Sequence, residues 1–285
     1  MKFMITGSKG QLAKEFIKFL TTTEHDFTAF DIDEINISNL NDLLKIFDIF
    51  KPDIVINCAA YSNVDLAESE FELAYKTNSL GVRNLSFACR ETKAKLIHFS
   101  TDYIFDGKKE TGLYVESDKT SPLNIYGKTK QFGEVLLTEE MNDYLIFRVS
   151  WLFGDGQQNF ISKLFTWQKS NEFLKVSCDE FSSPTSTTSV VDITFKAINE
   201  GLTGIFHINN TGYCSRFEWA KKIFRTAGLK THLYPAYMAD FKLPAKRPLC
   251  SAMSNQLITS TLDIPIPDWE EEVQKFVIKF VKKNF

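Results

Sequence analysis

The chain has no apolar run close to the ~20 residues that a membrane-spanning helix needs. No leader-like pattern precedes the strand-like Lys2-Phe-Met-Ile-Thr6, so a cytoplasmic location is expected. Charge of one sign is also missing: 33 Lys and Arg against 36 Asp and Glu leave a net charge of −3 over 285 residues. That balance gives no basis for a nucleic-acid partner, and any phosphate must be captured locally. The five cysteines, Cys58, Cys89, Cys178, Cys214 and Cys250, are odd in number, far apart and never spaced CxxC. Neither disulfides nor a zinc site are expected, and Cys58 and Cys89, in apolar surroundings, read as small hydrophobes. The four histidines are scattered singly, whereas a metal needs converging ligands, so none is assigned to chemistry. No metal site is expected, and a dependence on free Mg2+ is left open. Internal repeats and low-complexity segments are absent.

What is present is an ordinary globular composition, 44% apolar, and a regular alternation of short β-rich runs with helical periodicity. Lys2 to Thr6 predicts a strand; Leu12, Phe16, Phe19 and Leu20 then mark one face of a helix. Phe27 to Asp31 predicts a second strand, Leu40, Leu43, Leu44 and Phe47 a second helix, and Asp53 to Cys58 a third strand entered through Pro52. A helix over about Leu66 to Arg90, a strand over Lys95 to Ser100, a helix from near Tyr126 and a strand over Tyr144 to Val149 follow. Strands alternating with helices imply parallel βαβ units and an α/β, doubly wound Rossmann sheet. Beyond Trp151 the alternation weakens and prolines interrupt shorter segments. The expectation is a dinucleotide-binding domain over 1–151, rejoined by about 188–208, and a smaller irregular C-terminal domain over 152–187 and 209–285.

Gly7-Ser-Lys-Gly10-Gln-Leu-Ala13 joins the first strand to the first helix with the spacing GxxGxxA. Gly7 permits the tight turn, Gly10 lets the backbone approach a pyrophosphate, and Ala13 allows the helix to sit close to the sheet. The helix N-terminus presents free N–H groups to the phosphates. A glycine turn alone is a weak signal, but its place after the first strand, with Asp31 closing the second where a carboxylate meets an adenosine ribose, strengthens it. Gly7, Lys9, Gly10, Gln11, Leu12, Asp31 and Ile32 are therefore candidate cofactor contacts.

Tyr126-Gly-Lys-Thr-Lys130 puts a phenol and an ammonium at i and i+4 on one helix face. Free tyrosine titrates near ~10 and is a poor acid-base group at neutral pH unless a cation stabilises its phenolate. YxxxK by itself usually marks a solvated helix face. Downstream of a dinucleotide turn it becomes a candidate for proton transfer to a carbonyl. Ser100 and Thr101 end a parallel strand at its carboxyl edge, and either hydroxyl is placed to orient a carbonyl or to cap the following turn.

An ordered set of segments resembles the extended short-chain dehydrogenase/reductases, specifically the dTDP-4-dehydrorhamnose reductase family, over nearly the whole chain. It comprises Gly7 to Ala13, Asn57-Cys-Ala-Ala-Tyr61, Val64 to Glu68, Ser100 to Gly107, Ser121 to Gly127, Arg148 to Gly154, Asn159-Phe160, Ser183 to Thr185 and Arg247-Pro248. The resemblance implies hydride transfer from a nicotinamide to C4 of dTDP-4-dehydro-L-rhamnose. It also implies Thr101, Tyr126 and Lys130 as the catalytic group, Ala59, Ala60 and Tyr61 along the cofactor, and Tyr103, Trp151, Asn159 and Arg247 near a dTDP-sugar held by the C-terminal domain. Plain core packing is the alternative for Trp151, and a surface ion pair the alternative for Arg247.

The family's usual Arg after the strand-two acid is Ile32 here, its Asp at the next Asp-Ile pair is Asn36, and its DQFGSPT stands as Asp179-Glu-Phe-Ser-Ser-Pro-Thr185. Asp31 without a neighbouring guanidinium makes NADH the expected preference, with NADPH also accepted. Which 4-keto sugar is used stays open, as do a homodimer, an epimerase of the same superfamily, and a non-catalytic regulatory chain like the methionine adenosyltransferase accessory subunit.

Overall fold

The computed structural model describes residues 1–156 and 158–284, so Gln157 and Phe285 of the expected C-terminal domain lie outside the described residues. Strand β1 (Lys2–Thr6) leads through helix α1 (Gln11–Leu20) to β2 (Asp26–Phe30), α2 (Leu40–Phe50) and β3 (Ile54–Asn57). A 3-10 turn (Leu66–Glu68), α3 (Phe71–Tyr75), a π-turn (Lys76–Leu80) and α4 (Gly81–Thr92) bring the chain to β4 (Lys95–Thr101). Then come α5 (Ile125–Glu140), β5 (Tyr144–Val149), β6 (Leu152–Phe153), α6 (Phe160–Ser170), β7 (Phe173–Ser177), β8 (Phe181–Ser182) and β9 (Thr185–Ser186). The chain ends with α7 (Thr187–Asn199), β10 (Gly204–Ile208), β11 (Cys214–Ser215), α8 (Arg216–Ala227), β12 (His232–Ala236), α9 (Gln256–Leu262) and α10 (Trp269–Asn284).

Six strands form one sheet in the order β10-β5-β4-β3-β1-β2, every neighbouring pair parallel. Its strands read as continuous apolar runs because both faces are covered. Phe3, Ile5, Ile54, Ile56, Ile97 and Phe147 pack on the side of α1 and α7, while Met4, Val55, Leu96 and Ile146 pack on the side of α2, α4 and α5. Strand order reverses direction between β1 and β3, the crevice where open α/β sheets bind ligands.

Three two-stranded pieces, β6 with β9, β7 with β12 and β8 with β11, lie outside this sheet. A separate apolar cluster around Trp219, Phe153, Leu164 and Val277 serves them. Among the described residues no helix is long and apolar enough to cross a membrane, and no group of three or more His, Cys, Asp or Glu side chains converges as a metal would require. The five cysteines are free.

The helix expected from about Leu66 to Arg90 is a correction. It is broken after Glu68, and its later part carries the π-turn. The widened turn lets Asn78 clasp the backbone of Tyr61: its Oδ1 accepts from the Tyr61 N–H (2.8 Å) and its Nδ2 donates to the Tyr61 carbonyl (3.0 Å). Asn78 Nδ2 also donates to Thr129 Oγ1 on α5 (3.1 Å). Strand β2 ends at Phe30, which leaves Asp31 free to turn back toward α1.

Helix α5 docks unusually close to the loop that follows β4. A Cβ placed on Gly127 would lie 2.3 Å from the Tyr103 carbonyl oxygen, a backbone atom with little freedom to move. Gly127→Ala should therefore destabilise the fold by roughly 1–3 kcal/mol through overpacking. Urea unfolding should show a lower midpoint with an unchanged slope; an unchanged midpoint would mean that the helix is free to back away.

Candidate active site

The glycine turn is shaped by β3 as much as by its own residues. Gly7 has φ of 72°, and a Cβ there would sit 2.7 Å from the Ala59 Cα and N atoms, so the two loops leaving β1 and β3 are in backbone contact. The Gly10 N–H donates to the Gly7 carbonyl (2.9 Å), and Gly10 caps α1 with no side chain, leaving the helix's first N–H groups open. Asp31 is held against this turn: its Oδ2 accepts from the Lys9 N–H (2.8 Å) and its Oδ1 from the Ile32 N–H (2.9 Å). A side-chain-free cradle, an open helix N-terminus and a carboxylate at its flank together fit a dinucleotide. Lys9 Nζ is paired with Asp33 at the surface, and Ile32 is exposed. Leu12 buries its side chain in the sheet core. Gln11 reaches the C-terminal half, donating to the Leu152 carbonyl (3.2 Å).

Tyr126, Lys130 and Glu134 recur every four residues along α5, on the face turned to β4 and β5. Glu134 pairs with Arg148 of β5 (2.8 Å), both buried. Lys130 is 2% exposed; its Nζ donates to the Phe99 carbonyl (2.5 Å) and lies 3.3 Å from His98 Nε2. Burial pulls the Lys130 ammonium down to about 8, opposed by the Glu134 carboxylate. Burial pushes the Tyr126 phenol up to about 12, opposed by the Thr101 hydroxyl beside it. A high value keeps the phenol protonated, the form that donates.

Thr101 and Ser100 are separated by the structure. Thr101 Oγ1 accepts from the Tyr103 N–H (3.1 Å) and stands next to the Tyr126 phenol, whereas Ser100 Oγ is buried without a hydrogen-bond partner. Asp102, the next residue, is also buried, with its carboxylate oxygens accepting from the hydroxyls of Thr101, Ser182 and Ser251.

Tyr103 links this cluster to the C-terminal half: its ring meets Tyr126 edge-on at 6.2 Å, and its hydroxyl donates to Glu180 (3.0 Å). Glu180, with Trp151, Asn159, Lys163, Arg216 and Arg247, lines a cavity of about 380 Å³. Trp151 is both core and wall. It stacks on Trp219 (5.5 Å), carries the Arg216 guanidinium 3.7 Å from its ring, and adopts φ of 42°, rare for a bulky residue. Asn159 caps α6, with its Oδ1 accepting from Ser162 and its Nδ2 donating to Gly154 (2.9 Å). Arg247 is not a free cation: it forms a bidentate pair with Asp65 (3.1 and 2.7 Å). Sequence reasoning missed Glu180, Arg216, Lys163 and the partner Asp65. Only the aromatic company of Arg216, in Arg216-Phe-Glu-Trp219, hints at its place.

A parallel doubly wound sheet, a glycine turn fitted to a dinucleotide and a buried Tyr–Lys pair on the helix after β4 define an extended short-chain dehydrogenase/reductase. The family model described as RmlD substrate binding domain matches residues 1–282. The chain is 32% identical to the Bacillus subtilis spore coat polysaccharide biosynthesis protein SpsK, covering 97% of this chain and 96% of that protein. It is 31% identical to a dTDP-4-dehydrorhamnose reductase of Burkholderia thailandensis, with 96% and 97% covered. The crystal structure of the Bacillus anthracis dTDP-4-dehydrorhamnose reductase in complex with NADP superposes with a TM-score of 0.94 at 37% identity, over 98% of this chain and 99% of that one. The chain belongs to the dTDP-4-dehydrorhamnose reductase family.

The acid beside Thr101 gives a test of the site's electrostatics. Burial pushes the Asp102 carboxyl up to about 6, against the pull of the Ser251, Ser182 and Thr101 hydroxyls. A folded value above the unfolded 3.8 means that stability from the protonated acid is complete below that value and is lost as the pH rises through about 6. Asp102→Asn removes that loss, so its Tm relative to wild type should climb between acid and neutral pH. A difference that stays flat with pH would show that Asp102 does not titrate there.

Proposed function

We propose that the protein reduces the C4 keto group of dTDP-4-dehydro-L-rhamnose to give dTDP-L-rhamnose, with Tyr126 as the proton donor. The observation that carries this reading is the buried Tyr126–Lys130 pair beside Thr101, facing through Tyr103 onto a cavity with cationic side chains. A nicotinamide, when bound, supplies the hydride. Thr101 orients the ketone oxygen, Tyr126 delivers its proton to that oxygen, and Lys130 steadies the phenolate left behind. Gly7, Gly10 and the adjoining amides of Gln11 and Leu12 receive the pyrophosphate, Asp31 the adenosine ribose, and Ala59, Ala60 and Tyr61 the far wall of the cofactor groove.

We assign residues 1–151 and 188–208 to the cofactor half, and 152–187 with 209–285 to the sugar-nucleotide half. Trp151 and Tyr103 of the former and Asn159 of the latter form the wall near the sugar. Arg247, neutralised by Asp65, shapes the cavity and leaves Arg216, Lys163 and Lys175 as its cations for a diphosphate. A homodimer fits the exposed apolar patch of Phe71 and Phe132 on α3 and α5.

Turnover of dTDP-4-dehydro-L-rhamnose, followed at the nicotinamide absorbance, tests the reading, and one oxidised nicotinamide released per sugar distinguishes a reductase from an epimerase. In that assay Tyr126→Phe should lose about 10²–10⁴ in kcat while still binding cofactor. A Phe variant that turns over like wild type removes Tyr126 from the chemistry.

NADH should serve better than NADPH. The Asp31 carboxylate, pinned by two backbone N–H groups, suits a 2′-hydroxyl and repels a 2′-phosphate, and the nearest cation, Lys9, is drawn to Asp33. Ile32 offers no charge to offset the repulsion. Some activity with NADPH is expected because Lys9 is exposed and free to swing. The check is kcat/KM for each cofactor at saturating sugar; a clearly higher value for NADPH contradicts the role given to Asp31.

A further inference from the structure

Beneath the Tyr126–Lys130 pair lies a buried chain of polar groups whose hydrogen positions can be worked out. Asn57, at the end of β3, accepts at Oδ1 from the Ala59 backbone N–H (3.1 Å) and from the Thr6 hydroxyl (2.7 Å). A backbone N–H cannot reverse its role, so the amide orientation of Asn57 is settled and its Nδ2 must donate. It points at His98 Nδ1, 3.0 Å away. His98 is wholly buried, and burial together with the Lys130 charge holds its imidazole well below the usual range, so the ring is neutral. A neutral ring accepting at Nδ1 carries its hydrogen on Nε2. That N–H faces Lys130 Nζ at 3.3 Å.

An ammonium has only donors, so the His98 N–H and a charged Lys130 confront each other, whereas a neutral amine turns its lone pair to the same N–H while still donating to the Phe99 carbonyl. We propose that His98 is a positioning residue whose ring, locked by Asn57 with its hydrogen on Nε2, weakens the hold of Lys130 on its third proton. The other groups around Lys130 do not do this. The Cys58 thiol beyond β3 is kept protonated by burial, Glu134 on α5 favours the ammonium and is itself tied to Arg148, and Tyr126 one turn earlier is a neutral phenol. Asn78 and Ser79 of the π-turn and Thr129 of α5 carry no charge. Burial already lowers the Lys130 ammonium to about 8, and the facing His98 N–H adds to that, so Lys130 gains and loses a proton within the working pH range.

The inference rests on Lys130 acting beside Tyr126, and the test separates the two ideas. Nitrogen NMR of isotope-labelled histidine in the wild-type protein should show the His98 ring bare at Nδ1 and protonated at Nε2; the opposite tautomer overturns the proposal without any variant being needed. In kcat/KM against pH, activity should fall on the alkaline side as Lys130 loses its proton, and His98→Leu should move that fall upward by about one pH unit. Lys130→Met should abolish it. An unmoved fall in a folded His98→Leu protein, with the fall absent in Lys130→Met, overturns the role of His98 alone. A fall that survives in Lys130→Met overturns the role of Lys130 and the inference with it.

Discussion

A lysine almost wholly removed from water is the constraint on which the site depends, and much of the site is arranged around keeping it there. An ammonium in a low-dielectric interior loses several kcal/mol of hydration unless other groups replace it. Lys130 has a carbonyl of β4 directly beneath it and a carboxylate one turn along α5 to favour its charge, while the His98 imidazole beside it opposes that charge. The Phe99 carbonyl and His98 reach it because α5 lies close over the end of the sheet, and the missing side chain of Gly127 permits that approach at the site's edge. The same approach brings Tyr126 to Thr101 and Glu134 to Arg148, so one helix face delivers the phenol, the cation and a buried ion pair in successive turns.

The second organising contact runs between the two halves. Tyr103 follows directly from β4, and its hydroxyl ends on Glu180, which also pairs with Arg216 (3.4 Å). Arg216 in turn lies on the Trp151 ring, stacked against Trp219. A cation held by both an aromatic face and a carboxylate is fixed in place before any ligand arrives, and preorganisation of that kind limits the ordering cost of binding. The cavity wall is therefore mechanically continuous with the residues flanking Tyr126.

The sheet, its parallel order and most of its strands were legible because their signals are local: short β-rich apolar runs, period-3.6 patterns, a glycine turn in the right place, and turn residues between them. The Tyr–Lys pair was legible for the same reason, since four residues of helix suffice to put both on one face. Where the reading erred, a distant partner was the cause. The break and π-turn inside the expected Leu66 to Arg90 helix follow from Asn78 clasping Tyr61 and Thr129, contacts that helical periodicity does not encode.

The sequence by itself determined the fold class, the glycine turn after β1, the family and the two residues of the proposed proton transfer, because each is written within a few turns of chain. Only the tertiary structure decided that Thr101 and not Ser100 meets the phenol, and that Arg247 is bound to Asp65, 182 positions away. It also decided that His98, one of four scattered histidines with no assigned chemistry, lies against Lys130. Hydrogen bonds, ion pairs and burial depend on distance in space, and residue spacing along the chain carries that distance only as far as a single helix or strand extends.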